Sequence, residues 1–395
     1  MIMFKPREED KNNIAIVVVG YNRLREIQRL LTSLQGAHYE ADSVPLVISI
    51  DASGNEELYA YVKEFEWEHG NKYINIQEIR LGLKEHIFQC GDLTEYFKGV
   101  VIFEDDLYVS PFFYHYVESS LEYYQNDEGI VGISLYSPSS NALAQLPFIA
   151  LQNGASVFAY QDVASWGELF NKRMWRGFRN WLNEWDQDFS KIDMPEVIKM
   201  WTRAWSKYYY AYMITTGKYF VFPHVSLSTN FNDSLGEHGT GGNPWTQYSL
   251  LMGPKEYRFY PSQELVKYDV YCQNVCLYNS LGLKRDELTL DLYGMQNQSK
   301  YLKKYLLTTS ILPYNTIKSF ALAMRPMELN IINRIEGRGI YLYDLSVRKN
   351  AKTCLSPYQF LMYMLQGFSP KLIYQYTKTF ISDYIKNMFK RRKIS

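Results

Sequence analysis

The sequence predicts an α/β fold built on a doubly wound, mostly parallel sheet, with an irregular acceptor-side half and a helical C-terminal extension. Three observations carry this. Short, unbroken apolar runs alternate with stretches of helical periodicity over residues 14 to 135. The runs are rich in branched residues, as strands buried on both faces require. Polar or acidic residues stand directly after several of them, at the edge where such sheets bind ligands.

The elements follow in order. IAIVVV at 14–19 reads as the first buried strand, and Gly20 ends it. Ile27, Leu30, Leu31 and Leu34 recur at helical spacing, which predicts an amphipathic helix from about Leu24 to Leu34. LVISI at 46–50 is a second strand ending at Asp51, and Leu58, Tyr61, Val62 and Phe65 mark the helix after it. Ile74 to Ile79 reads as a weaker strand, Lys84 to Tyr96 as a helical stretch, and GVVIF at 99–103 as a buried strand that stops at Glu104-Asp105-Asp106. Ser110 and Pro111 then suit an N-cap and a first helical position.

Past about residue 135 the pattern becomes irregular, and six of the 8 tryptophans fall between 166 and 205. This predicts a half built onto the sheet to hold a second substrate. The expected organisation is a domain over 1–250, with a nucleotide-binding half at about 12–135 and an acceptor-side half at about 136–250. A connecting segment over 251–300 and a mostly helical extension over 301–395 follow, the latter broken into short pieces by Pro313, Pro326 and Pro357.

Lysine plus arginine and aspartate plus glutamate each total 42, so no global field favours nucleic acid and partners must be argued from local sites. A hydrophobic content of 47% excludes intrinsic disorder. No apolar run reaches the roughly 18 to 20 residues of a bilayer crossing, and the opening MIMFKPREEDKNN lacks the apolar stretch of a signal peptide. With only four scattered cysteines, of which Cys272 and Cys276 lack a histidine pair to complete a zinc set, a cytoplasmic protein is expected. Beyond Pro370, Leu372, Ile373, Tyr376, Phe380, Ile381, Tyr384, Ile385 and Phe389 form an apolar-aromatic stripe with lysines and arginines beside it and at its tip. The stripe reads either as a peripheral contact with the inner membrane leaflet or as an ordinary helix packed on the domain.

Three consecutive acids at the end of a buried strand raise one another's pKa unless a cation satisfies them. Oxygen-only donors favour Mg2+ or Mn2+, ions that keep open positions for a diphosphate. The run VVIFEDDLYVSPFFYHYV resembles the metal-binding segment of GT-A glycosyltransferases related to the N-acetylglucosaminyltransferases, and IAIVVVGYNR resembles their opening strand and loop. The sequence is also similar to bacterial family-two-like sugar transferases. Their S-W-G-W-x-T-W-x-x-x-W segment has its counterpart in Ser165-Trp166-Gly167-Glu168-Leu169-Phe170 through Trp175, and SLSTNFNDSLGEHG from Ser226 matches a further stretch. Order and approximate spacing agree over roughly residues 12 to 240.

The resemblance implies a GT-A fold and site roles. Gly20, Tyr21, Asn22 and Arg23 would line a nucleotide-sugar, foremost a UDP-sugar, with Asp51 at its base or ribose and the Gly82-Leu83-Lys84 turn bordering the same pocket. Asp106 would bind the metal directly, Glu104 and Asp105 would face the donor, and His238 would approach the metal or diphosphate. Trp166 and Gly167 would shape the sugar or acceptor pocket. Each has a plainer role open to it: Arg23 as a partner of Glu26, Asp51 as a cap of the next turn, Trp166 as core, His238 as a solvated loop residue.

An inverting transfer needs a carboxylate base for the acceptor hydroxyl. Where the relatives carry an acid, this chain reads Arg203-Ala204-Trp205-Ser206, so the base is sought at Asp193, then Asp188 and Asp162. The expected activity is metal-dependent transfer of a sugar to a glycan or lipid-linked glycan in bacterial surface polysaccharide synthesis. A non-catalytic glycan-binding or assembly protein of the same fold is one rival. A sugar nucleotidyltransferase is the other, but GYNR stands where its glycine-rich phosphate loop would follow the first strand.

Overall fold

The computed structural model describes residues 5–231, 248–296, 301–349, 357–365 and 369–391. They fall into two compact units, one comprising Met1–Leu143 and Phe148–Asn279, the other Ala144–Pro147 and the chain from Ser280 onward. The first body therefore extends past 250, because Lys267–Tyr268 adds an edge strand to its sheet.

The first unit is built on β1 (Ile14–Gly20), α1 (Leu24–Gln35), β2 (Leu46–Ile50), α2 (Glu56–Glu64), β3 (Lys72–Ile76), α3 (Leu83–Gly91), β4 (Gly99–Glu104), β5 (Leu107–Val109), α4 (Phe113–Tyr124) and β6 (Ile130–Ser134). β1 pairs in parallel with both β2 and β4, and β2 with β3. Every residue of β1 and β2 is buried, which explains the absence of alternation in IAIVVV and LVISI. Chain order runs from β1 outward to β2 and β3, then returns to the other flank of β1 with β4. The carboxyl ends of β1 and β4 thus flank a topological switch point, the crevice where open α/β sheets bind ligands.

Beyond β4 the sheet continues with Glu168–Phe170, β6, Tyr219–Pro223, Val157–Tyr160 and Lys267–Tyr268. Glu168–Phe170 runs antiparallel to both β4 and β6 and closes the gap between them. Two expected boundaries shift. The third strand is Lys72–Ile76 rather than 74–79, and α4 begins at Phe113, with the Ser110 hydroxyl accepting from the Phe112 N–H at 3.1 Å.

The second unit adds a sheet to the helices expected over 301–395. Four strands, Leu288–Asp291, Tyr305–Thr308, Gly339–Arg348 and Tyr314–Ala321, form its sheet in that spatial order. Leu306, Leu312 and Tyr343 form one cluster of its core, with Tyr301, Tyr314, Tyr341 and Leu345 packed against them. Pro313 precedes a strand here rather than breaking a helix, and β-favouring tyrosines supply much of the packing surface. Over 301–395 the helices among the described residues are Glu328–Ile332, Pro357–Met364 and Pro370–Arg391. Along the last of these, Leu372, Tyr374, Tyr376, Phe380 and Ile381 are all exposed. Among the described residues no helix is long and apolar enough to cross a membrane.

Candidate active site at the β1–β4 switch point

The site begins with a close approach. A Cβ on Gly20 would lie 2.4 Å from Ile27 Cδ1 and 3.1 Å from Ile50 Cδ1, so any larger residue would have to push the Ile27 side chain aside where α1 packs against the end of β1. Tyr21, Asn22 and Arg23 then form the turn into α1. Tyr21 lies exposed beneath Arg80, whose guanidinium carbon stands 4.5 Å from the ring centroid, and the Asn22 side-chain carbonyl accepts from Asn55 Nδ2 at 2.8 Å.

Arg23 turns to the acidic turn after β4 rather than to Glu26. Its Nε donates to Asp105 Oδ2 at 3.2 Å, its Nη2 pairs with Asp105 Oδ1, and its Nη1 donates to Asp106 Oδ2 at 3.1 Å. One planar fork thereby serves two carboxylates, the geometry in which arginine is not replaceable by lysine. Arg29 braces the same turn, with Nη2 donating to the Asp106 carbonyl at 3.2 Å and the guanidinium stacked 4.0 Å from the Phe231 ring. The turn is held from its other side by Ser228–Asn230, antiparallel to β5.

Burial pushes Glu104 up to about 8, with Asp106 and Asp105 adding repulsion. Burial also raises Asp105, to about 7, against the pull of the Arg23 guanidinium. A fourth acid joins them. Glu168 pairs in register with Ile102, and Glu104 lies two residues further along β4, so both glutamates share one face of the sheet. Glu168 is 1% exposed, its Oε1 has no hydrogen-bond partner, and burial followed by the charge of Glu104 raises its pKa well above the usual carboxylate range. Sequence reasoning passed over Glu168 as a residue within a tryptophan motif. The signal was an acid inside the apolar strand ELF.

Asp51 ties two loops together. Its Oδ1 accepts from Ala52 N at 2.9 Å and Leu81 N at 2.8 Å, and its Oδ2 from Gly82 N at 2.9 Å. It fixes the turn that carries Arg80 over Tyr21 and opens α3. Leu83 is exposed at the start of that helix, whereas Lys84 pairs with Glu85 at 3.0 Å and lies 5.1 Å above the Tyr208 ring. Lys84 thus borders a separate hollow of about 310 Å3, also lined by Phe88, Arg179, Trp185 and Tyr208.

Beyond β4, half-buried Trp166 meets Tyr136 edge-on at 4.4 Å and Tyr248 at 6.0 Å, forming an aromatic wall. Gly167 has φ +96°, and a Cβ there would come within 2.9 Å of the Phe103 ring. Of the three candidate bases, Asp162 is buried deepest. Its Oδ1 accepts from both the Tyr210 hydroxyl and Val163 N, and burial raises its pKa. Asp193 is exposed and accepts from the Tyr271 hydroxyl at 2.8 Å. Asp188 caps a short surface turn through Ser190 and is lowered by that bond. Among the described residues neither of these two is joined to the acidic turn by a hydrogen bond or ion pair. His238 lies outside the described residues.

The carboxylates are oxygen donors of the kind Mg2+ or Mn2+ prefers. Their arrangement does not fit such an ion, because the guanidinium already takes both aspartates. Among the described residues no group of three or more histidine, cysteine, aspartate or glutamate side chains is arranged to hold a metal.

No protein-family model and no curated protein matches the chain. Among solved structures it is similar to S. aureus TarS 1-349 in complex with UDP-GlcNAc, at 12% identity over 58% of this chain and 61% of that one, with a TM-score of 0.37. It is similar also to GalNAc-T7 with UDP, GalNAc and Mn2+, at 12% identity, 55% and 43% coverage and a TM-score of 0.37. A third likeness is to the mannosyltransferase PcManGT from Pyrobaculum calidifontis in complex with GDP-Man and Mn2+, at 14% identity, 44% and 48% coverage and a TM-score of 0.30. In each case the matched part spans less than two thirds of the other chain.

Proposed function

We propose that the chain is a glycosyltransferase that holds a nucleotide-sugar, foremost a UDP-sugar, at the carboxyl ends of β1 and β4 and passes the sugar to a glycan or lipid-linked glycan. The observation that carries this reading is the meeting of the Gly20–Arg23 turn with the acidic turn at the switch point, since cation-bearing loops at such crevices are suited to diphosphates. Exposed Tyr21 offers a ring for the nucleobase, and Arg80 and Arg23 are the nearby donors for phosphate oxygens. The aromatic wall of Tyr136, Trp166 and Tyr248 suits a sugar face.

For an inverting transfer the base falls to Asp162 rather than to Asp193, preferred on sequence alone. Both hydrogen bonds to Asp162 fall on Oδ1, which leaves Oδ2 for an acceptor hydroxyl, and the residue shortly precedes the Trp166 wall in the chain. Microcalorimetry with UDP-, GDP- and CDP-sugars, each with and without MnCl2, tests the reading. Saturable binding of at least one is expected, and binding of none overturns it. Asp162→Asn should then abolish transfer while leaving donor binding intact. The rival reading, a glycan-binding protein without turnover, gains weight from the closed acidic turn and predicts binding with neither hydrolysis nor transfer.

The setting in bacterial surface polysaccharide synthesis, on the cytoplasmic side of the membrane, belongs to the same proposal. The exposed apolar and aromatic side chains of Pro370–Arg391, with Lys371 and Lys378 among them, support a peripheral leaflet contact. Deleting residues 370 to 395 should move the protein from the membrane fraction to the soluble one, and unchanged fractionation overturns that part.

A further inference from the structure

The hollow of about 310 Å3 at the start of α3 is walled by aromatic rings and planar polar groups. Its size lies at the small end of the ~300 to 1,000 Å3 of ligand pockets. Two of its rings are held by rings outside it. Trp185 stacks on Trp181 at 4.6 Å with the planes 23° apart and meets Phe189 edge-on at 4.8 Å, and Tyr208 meets Phe189 edge-on at 5.5 Å. Rings ordered in advance give up little rotamer freedom when a ligand arrives. Asn183 and Gln187 add exposed side-chain amides, each a donor beside an acceptor. Gln187 has φ 58°, a left-handed conformation uncommon for such a residue, and strain of this kind gathers at ligand sites.

Charge narrows the class of ligand. Lys84 Nζ lies 3.0 Å from Glu85 Oε1, and Arg179 Nε lies 3.2 Å from Asp92 Oδ1. These four groups balance, which leaves little net attraction for a phosphate or a carboxylate. Ring faces bordered by amides and paired charges match a neutral sugar, whose C–H face lies on a ring while its hydroxyls exchange hydrogen bonds with the polar groups.

We propose that this hollow is a subsite for a neutral saccharide of one or two rings. Lys84, expected from the sequence to border a nucleotide, serves it instead. The binding stands on the hollow alone. Its use, as a hold on glycan remote from the reacting sugar, deepens the glycosyltransferase reading and rests on it.

The test is calorimetry with saturation-transfer NMR on the full chain, using maltose, cellobiose, lactose and chitobiose, with digalacturonate and glucose 6-phosphate as acidic probes. Saturable binding of at least one neutral disaccharide is expected, weakened at least about tenfold in Trp185→Ala. Gln187→Gly relaxes the backbone while removing one amide, so it should weaken binding about threefold, and it serves if Trp185→Ala does not fold. Binding of no neutral disaccharide, binding that the folded variants keep in full, or binding of the acidic probes alone overturns the proposal. The donor calorimetry is a separate readout. Disaccharide binding without donor binding keeps the subsite and removes its use in transfer, while donor binding without disaccharide binding does the reverse.

Discussion

Replacing Asp51 is expected to loosen the candidate site by untying two of its loops, although the side chain need never touch a ligand. Asp51 is 3% exposed and accepts three backbone N–H groups at 2.8 to 2.9 Å, two of them from residues thirty positions away. A hydrogen bond to a charged group contributes about 1.5 to 3 kcal/mol net. Losing the two long-range bonds in Asp51→Ala should therefore cost about 3 to 6 kcal/mol, a large share of the ordinary 5 to 15 kcal/mol of a folded domain. Asp51→Asn keeps one carbonyl for Leu81 but sets an NH2 group against the Gly82 N–H, so about 2 kcal/mol is expected. Urea unfolding at two or more probes gives these values, and hydrogen exchange reports the Leu81 and Gly82 amides directly. Both amides should lose protection in the variants, and Arg80 should lose its seat over Tyr21. A change below about 1 kcal/mol in Asp51→Ala, with both amides still protected, would refute the assignment of Asp51 as a tie between loops.

Other expectations follow from the same geometry. His86 is 2% exposed, its Nε2 lies 2.7 Å from the Ser49 hydroxyl, and burial pushes the imidazole down to about 4. The unfolded chain takes up that proton near pH 6.5 and the folded one only near 4, so stability is full above 6.5 and falls as pH drops between these values, by up to about 3 kcal/mol. Denaturant titrations at several pH values should show this fall in wild type and a shallower one in His86→Gln; equal slopes exclude His86 as the source. Glu168→Leu removes a buried carboxyl with an unsatisfied oxygen beside Glu104, and should raise stability by about 1 to 3 kcal/mol in thermal unfolding. A loss instead would mean that the carboxyl has a stabilising partner. Gly167→Ala combines a left-handed backbone with a 2.9 Å approach to Phe103 and should destabilise by about 2 to 3 kcal/mol; a neutral effect would show that the turn can relax.

How far the sequence could be read depends on how local each signal was. α1, α2 and the buried strands β1, β2 and β4 follow from periodicity within windows of five to twelve residues, and the structure has them at nearly those positions. The strands at Tyr305–Thr308, Tyr314–Ala321 and Gly339–Arg348 were not legible. Burial is irregular along the two longer strands and the flanking Pro313 and Pro326 resemble helix breakers, so only pairing across the sheet reveals them. Glu168 escaped for a related reason. Its neighbour in space is Glu104, and strand Glu168–Phe170 enters the sheet between β4 and β6 by a connection no local pattern announces.

By itself the sequence determined that apolar strands would be buried and that polar turns would collect at their carboxyl ends, because both properties are set by residues close together in the chain. It also required a cation for the three acids. Which cation was decided by tertiary structure alone. Arg23 lies 82 residues from Asp105, and only the parallel pairing of β1 with β4 brings the two turns together, close enough for a guanidinium to meet the charge that would otherwise call for a metal ion.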